Sequence, residues 1–369
     1  MIALYVLLIL LGVILAVTVF NALTAPLVCR GPKPQRPSFV SLLVPCRNEE
    51  DNIATCLSHL LQQDHPRFEV LVLDDGSTDN TAAIVQSFAV QDERVRLISG
   101  EPLPNGWTGK NWACHQLSRQ AVGEFLIFTD ADNFYSADAV SRTIGWMMAH
   151  ELDLFSAFPQ QITVTWSEKW LVTFFDLTVY ALLPLWLTYR SSFPSLSAAN
   201  GQWLAMRKCA YERLGGHEAV RQHVVEDVEL ARRCKRHGLR MLTASGRDAV
   251  KGRMYRSLSE VWNGFAKNAY GLTGFHPLPF LIFLLLLFLL TVLPYGLIFV
   301  AAVRIPALFM VAANVLIRGV AAVKFKQPFG HSTVFHPLAM VLVLALAVYS
   351  MVSYYHHGVV WKGRRIKWS

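Results

Sequence analysis

The apolar and polar positions divide the chain into a charge-free opening, a long stretch of strand–helix alternation and an apolar final third. Residues 2–23 (IALYVLLILLGVILAVTVFNAL) carry no charge and are long enough to cross a bilayer. No basic residue precedes them, and Arg30, Lys33 and Arg36 follow. That flank predicts a signal-anchor at 1–24 rather than a cleaved signal peptide, with the N-terminus outside and the following domain in the cytoplasm. Gly31 to Pro37 (GPKPQRP) reads as a stiff polar linker. From Phe39 short apolar runs alternate with helical spacings. FVSLLVP, FEVLVLDD, VRLIS and EFLIFTDAD have the pattern of buried strands. Helices are expected over Asn48–Gln63, from the Ser77-Thr78-Asp79 cap to Phe88, and over Lys110–Val122. Such alternation predicts an α/β domain at 38–250 with a mostly parallel, Rossmann-like sheet covered on both faces. Residues 169–189 are apolar but interrupted by Asp176 and Pro184, which suits an interfacial helix. An amphipathic helix is expected over Arg253–Ala269, within an interfacial segment at 251–276. Apolar stretches at 278–303, 305–322 and 337–355 predict a membrane bundle at 277–356, followed by a basic tail at 357–369.

Composition sharpens this division. Of 369 residues 53% are hydrophobic and 16% charged, and the net charge is +8. The basic residues cluster beside the apolar segments, at Arg30, Lys33 and Arg36, at Arg253, Arg256 and Lys267, and at Lys362, Arg364, Arg365 and Lys367. Anionic headgroups and the positive-inside bias explain that placement, so no nucleic-acid partner is expected, and no protein partner is evident. Six cysteines without CxxC spacing indicate neither a zinc site nor a disulfide framework.

In an α/β sheet, ligands bind beyond the carboxyl ends of the strands. Asp74-Asp75-Gly76-Ser77, Asp130-Ala131-Asp132 and Glu226-Asp227 each stand where a strand ends or a loop begins. Carboxylates spaced i, i+2 after a strand suit one Mg2+ or Mn2+, with substrate phosphates completing its shell. Asp227 lies between a glycine-containing loop (LGGH) and an amphipathic run (VELARRCKRHG), at a helix start whose dipole favours the ionised form. His115, His217, His223 and His237 are expected to be structural.

SLLVPCRNEEDNIATCLSHLLQQ, VLVLDDGSTDNTAAIV and FLIFTDADNFY, in that order, resemble the family 2 glycosyltransferases with a GT-A fold, over about residues 38–250. The resemblance implies an inverting hexosyltransferase that draws on a nucleotide sugar, with UDP-glucose the expected donor. It implies nucleotide contacts from Pro45, Glu49, Asp74, Asp75, Lys110 and Asp130. It also implies that Asp130 and Asp132 hold the metal and diphosphate, and that Asp227 is the catalytic base with Glu226 beside it. Relatives carry a Gln/Arg-x-x-Arg-Trp motif; here Arg253 and Arg256 match it, with Trp262 displaced, as an acceptor or diphosphate site. NGWTGKNWACHQ, GRMYRSLSEVWNGFAKN and HHGVVWKGRRIKW are similar to the branch that glycosylates small lipids, carotenoid acids among them. A multi-pass enzyme of the cell membrane with a lipid acceptor is therefore expected. The alternatives are a processive polysaccharide synthase and a non-enzymatic membrane protein with a degenerate GT-A domain.

The C-terminal topology is in tension with the charges. Three full spans would carry the basic tail outside, against the positive-inside bias. A re-entrant or interfacial 305–322, which is short and contains Arg318, would keep the tail cytoplasmic and leave Lys324 and Lys326 outside. Trp361 and Trp368 among the basic residues favour the cytoplasmic tail.

Overall fold

The computed structural model describes residues 2–356, 359–361 and 364–366, so Lys362, Lys367 and Trp368 of the tail lie outside the described residues. The chain forms two compact units. One comprises Ala25–Gln160 and Leu185–Arg253; the other comprises the chain up to Thr24, Gln161–Pro184 and the chain from Met254.

The first unit is built on seven strands: β1 (Val40–Cys46), β2 (Phe68–Asp74), β3 (Val95–Ser99), β4 (Phe125–Thr129), β5 (Leu154–Phe158), β6 (Trp203–Arg207) and β7 (Met241–Ser245). They pair in the order β3-β2-β1-β4-β6-β5-β7. Only β6 runs antiparallel to its neighbours. Alternate residues of β1 divide between two buried faces. Leu42 and Val44 pack with Val70, Val72 and Ile127 against the helices Ile53–Leu61 and Ala139–Ala149. Leu43 packs with Leu71, Leu73, Leu126 and Phe128 against Gly109–Gln120 and Glu226–Arg236. Burial on both sides is why these strands read as continuous apolar runs.

Two expectations are corrected here. The helix expected from Asn48 begins at Ile53, because Asn48 adopts a positive φ of 52° and uses its side chain on the neighbouring loop. The stiff polar linker expected at 31–37 is anchored to the first unit at its start. Leu27 and Val28 are buried, Trp146 donates its indole N–H to the Leu27 carbonyl at 3.0 Å, and Arg142 donates to the Gly31 carbonyl at 2.6 Å.

In the second unit Ile2–Thr24, Ala301–Phe325 and His336–His356 are long and apolar enough to cross a membrane. The run expected at 278–303 is broken. Its helix Pro277–Thr291 has 15 residues, about 22 Å against a hydrocarbon core of about 30 Å. It is bent by 111° from Leu258–Thr273. Conversely 305–322 lies within one continuous helix, Arg304–Phe325, and not in a re-entrant turn. Arg318 is tolerated there because it points inward, donating to the Ser332 carbonyl at 2.9 Å and to Thr173 Oγ1 at 3.0 Å. The single helix expected at 169–189 is also broken. A widened turn, Glu168–Val172, leads into Thr173–Leu182, and Leu187–Arg190 belongs to the other unit. Pro184, with no N–H and a fixed φ, stands at the break. The amphipathic helix spans Leu258–Ala269 rather than starting at Arg253. Ser257 caps it: its Oγ accepts the Glu260 N–H at 3.2 Å, while the Glu260 carboxylate accepts the Arg256 N–H at 2.9 Å.

Candidate active site

Parallel β1, β2 and β4 end on one edge of the sheet, with Cys46 paired to Asp74. The loops that follow β1 and β2 are laced together. The Asn48 side-chain oxygen accepts the Thr78 N–H at 2.8 Å, and the Asn48 N–H donates to Ser77 Oγ at 2.9 Å. The Glu49 N–H donates to Thr81 Oγ1 at 2.8 Å, while its carboxylate accepts from Asn52 at 2.8 Å. Asp74 is committed to its own turn: its carboxylate accepts the Ser77 N–H at 3.2 Å and the Ser77 hydroxyl. Gly76, at φ +69°, supplies the left-handed step in that turn. Asp75 is half-buried, with its N–H on the Cys46 carbonyl at 2.9 Å and its own carbonyl accepting from Arg47. Pro45 pairs with Leu73 beside it. Pro45, Glu49, Asp74 and Asp75 therefore share one rim, and Asp74 shapes it rather than reaching outward.

Beyond β4 and at the start of the helix Glu226–Arg236 lies a compact charge cluster. Lys110 Nζ is 2.8 Å from Asp130 Oδ1 and 3.5 Å from Glu226 Oε1, joining the DxD turn to the Glu226-Asp227 pair. Asp227 Oδ2 accepts the Gly201 N–H at 2.7 Å, and Oδ1 accepts the Val228 N–H at 2.8 Å. The helix cap is Val225, so Asp227 is the second helical residue and its carboxylate is not used as the cap. Burial raises the Glu226 carboxyl above the usual range, Lys110 opposes the shift and Asp227 adds to it. Burial likewise raises Asp227, with Lys110 opposing. Burial works against the Lys110 charge, but Asp130 and Glu226 outweigh it and hold the ammonium well above its ordinary value.

Several residues that sequence reasoning passed over complete the cluster. A Cβ on Gly201 would stand 3.0 Å from Lys110 Nζ and 3.2 Å from Glu226 Oε1, so any side chain there would press on both charged groups while its N–H serves Asp227. The Asn200-Gly201 dipeptide was the available signal. Behind the DxD turn, Asn133 Nδ2 and Thr129 Oγ1 both donate to the Gln202 carbonyl at 2.8 Å. Among the histidines, His217 is fully enclosed. Its ring lies 2.8 Å from the Tyr211 hydroxyl, and burial lowers it to about 3, keeping it neutral.

Arg253 closes the first unit, whereas Arg256 and Trp262 belong to the second, where Trp262 packs on Tyr349 with ring centroids 5.9 Å apart. Asp130 and Asp132 offer hard oxygen donors at i, i+2, which suit Mg2+ or Mn2+. Among the described residues no group of three or more His, Cys, Asp or Glu side chains forms a protein-only cage. An ion held there would take the rest of its shell from water and substrate phosphate oxygens, as Mg2+ commonly does.

Residues 41–215 match the family described as Glycosyl transferase family 2. The 4,4'-diaponeurosporenoate glycosyltransferase of Staphylococcus aureus (strain MRSA252) is 30% identical over 244 residues, which cover 63% of this chain and 62% of the relative. The protein of the same name from strain USA300 matches with the same identity and coverage. The aligned stretch thus spans less than two thirds of these relatives' own length. A solved mannosyltransferase from Pyrobaculum calidifontis, in complex with GDP-Man and Mn2+, superposes with a TM-score of 0.55 at 20% identity. That superposition covers 95% of this chain and 98% of the other, and it shares the GT-A fold.

Proposed function

We propose that this chain, which carries a glycosyl transferase family 2 domain at residues 41–215, is a membrane-bound inverting hexosyltransferase that glycosylates a lipid acceptor. One observation carries the proposal: Lys110 couples Asp130 of the DxD turn to Glu226, beside Asp227, at the carboxyl edge of the sheet. The laced rim of Pro45, Glu49 and Asp75 suits a nucleoside, and UDP-glucose is the proposed donor. An acceptor oxygen attacks the anomeric carbon from the face opposite the departing nucleoside diphosphate, and the configuration inverts. Where that oxygen is a hydroxyl, Asp227 takes its proton. No carboxylate is needed as a covalent nucleophile, in contrast to retaining hydrolysis. Gly201 and Val228 hold the two Asp227 oxygens in place through their N–H groups. Lys110 balances the charge of Asp130 and opposes the rise that burial imposes on the acid pair. Mg2+ or Mn2+ on Asp130 and Asp132 would stabilise negative charge on the leaving diphosphate.

The helices of the second unit support attachment to the membrane, with the catalytic unit on the cytoplasmic side. A polyisoprenoid or acyl acceptor stays in the bilayer, so a bilayer enzyme meets it where it resides. The relatives' name places a carotenoid acid among the candidate acceptors. Membranes containing the chain are to be incubated with labelled UDP-sugars and the products identified by mass spectrometry. A single hexosyl lipid is expected. A polymer would indicate a polysaccharide synthase instead, and no labelled product with any nucleotide sugar would leave the proposal without support.

A further inference from the structure

The loop before Glu226-Asp227 is held in an unusual way. Its residues Arg221, Gln222 and His223 are exposed, yet their backbone is gripped from below by one side chain. Asn111, which is fully buried, directs its Nδ2 amide at three carbonyls: Val220 at 2.9 Å, Arg221 at 3.2 Å and His223 at 3.0 Å. The backbone of the same turn adds a fourth tie, the Thr108 N–H to the Arg221 carbonyl at 2.9 Å. Thr108 also caps the helix Gly109–Gln120, accepting the Asn111 N–H at 3.3 Å. Lys110 and Asn111 are consecutive, so one helix start grips both sides of the acid pair. Lys110 reaches the Glu226 carboxylate, and Asn111 reaches the chain three to six residues before it.

We propose that Asn111 is a positioning residue that sets where Asp227 stands relative to the donor sugar, by fixing the 220–223 loop to the helix that bears Lys110. This rests on Asp227 acting in glycosyl transfer. A side-chain amide is suited to the task, because its two N–H groups meet several carbonyls while carrying no charge beside the Lys110 ammonium. Among the described residues the Asp227 carboxylate accepts from the Gly201 N–H and from the N–H of the next residue, Val228, which moves with it. If the loop shifts, the start of the Glu226–Arg236 helix shifts with it. A displacement of about 1 Å at a reacting group costs on the order of 100-fold in rate.

The test compares wild type, Asn111→Ala and the shape-preserving Asn111→Asp, each in membranes and each with and without Asp227→Asn. Transfer from labelled UDP-hexose, UDP affinity and amide hydrogen exchange are measured. Asn111→Ala and Asn111→Asp should each lower kcat by about 10- to 100-fold. UDP affinity should stay within about twofold, and faster exchange should be confined to residues 220–227. In the Asp227→Asn background neither substitution should cost anything further, because the group being positioned is gone. The inference is overturned if either variant keeps wild-type kcat, if the two losses multiply in the double variants, or if UDP affinity falls together with faster exchange through the β-sheet. An inactive wild type would instead count against the glycosyltransferase proposal itself.

Discussion

At the residue scale, the proposed chemistry turns on how Lys110 and burial oppose each other around the acid pair. Burial raises Asp227, and a base works only when ionised, so activity should fall as pH drops through that raised value. The acid limb of kcat should therefore lie above the ordinary aspartate range of about 4. Lys110→Met removes the charge that opposes burial, which raises Asp227 further. The limb should move to higher pH; a pH–rate profile that stays put or moves down would contradict the electrostatic role of Lys110. The metal follows separately. Asp132→Asn should abolish transfer while leaving the far-ultraviolet circular dichroism and thermal unfolding intact, and wild-type activity should vanish in EDTA and return with Mn2+ or Mg2+. Full activity in EDTA would remove the metal from the account. The acidic residues were legible in the sequence because each follows a strand or opens a helix, where local pattern and chemistry coincide. Gly201 and Asn111 were not, since their partners lie 26 and 109 or more residues away and a glycine or asparagine carries no sign of what it will touch.

At the element scale, periodicity located the first four strands of the sheet, passed over β5, β6 and β7, and placed the ends of helices less well. The four N-terminal strands read clearly because short apolar runs dominate each of them, most completely in β1, β2 and β4, which are buried on both faces. Helix starts depended on side-chain partners that periodicity does not register. Ser257 stops the amphipathic helix from beginning at Arg253, and Asn48 turns the chain before Ile53. The N-terminal segment shows the same limit. Its prolines and charges suggest a linker, but Gly145 has no side chain, and the Pro32 carbonyl sits where a Cβ would be. Gly145→Ala should therefore destabilise the catalytic unit by about 1–3 kcal/mol through overpacking, despite alanine's better helix propensity. Chemical denaturation checks this; a neutral or stabilising substitution would show that the 25–32 segment yields without cost.

At the scale of the whole molecule, the topology follows from which helices cross the bilayer. If Ala301–Phe325 and His336–His356 are the two crossings after the catalytic unit, the C-terminus returns to the side on which that unit stands. The sequence pointed to the same side through a different segment, because hydropathy alone does not distinguish the bent Pro277–Thr291 from the continuous Arg304–Phe325. Should the bent pair Leu258–Thr273 and Pro277–Thr291 cross as well, the C-terminus would change sides. Ser369→Cys in a background without the native cysteines decides between them. A membrane-impermeant maleimide should leave intact cells unlabelled and label the tail once they are opened; labelling of intact cells would require the additional crossing.

The central claim is that the acid cluster around Asp227 performs glycosyl transfer to a lipid. The most direct measurement is single-turnover transfer of labelled hexose from a UDP-sugar to membrane lipid, in wild type and Asp227→Asn, with UDP affinity measured on the same membranes. The account predicts a single hexosyl lipid from wild type. For a hydroxyl acceptor it predicts a loss of about 10²–10⁴ in the transfer rate for Asp227→Asn, the usual worth of a general base, at unchanged UDP affinity. Transfer by Asp227→Asn at the wild-type rate would contradict it.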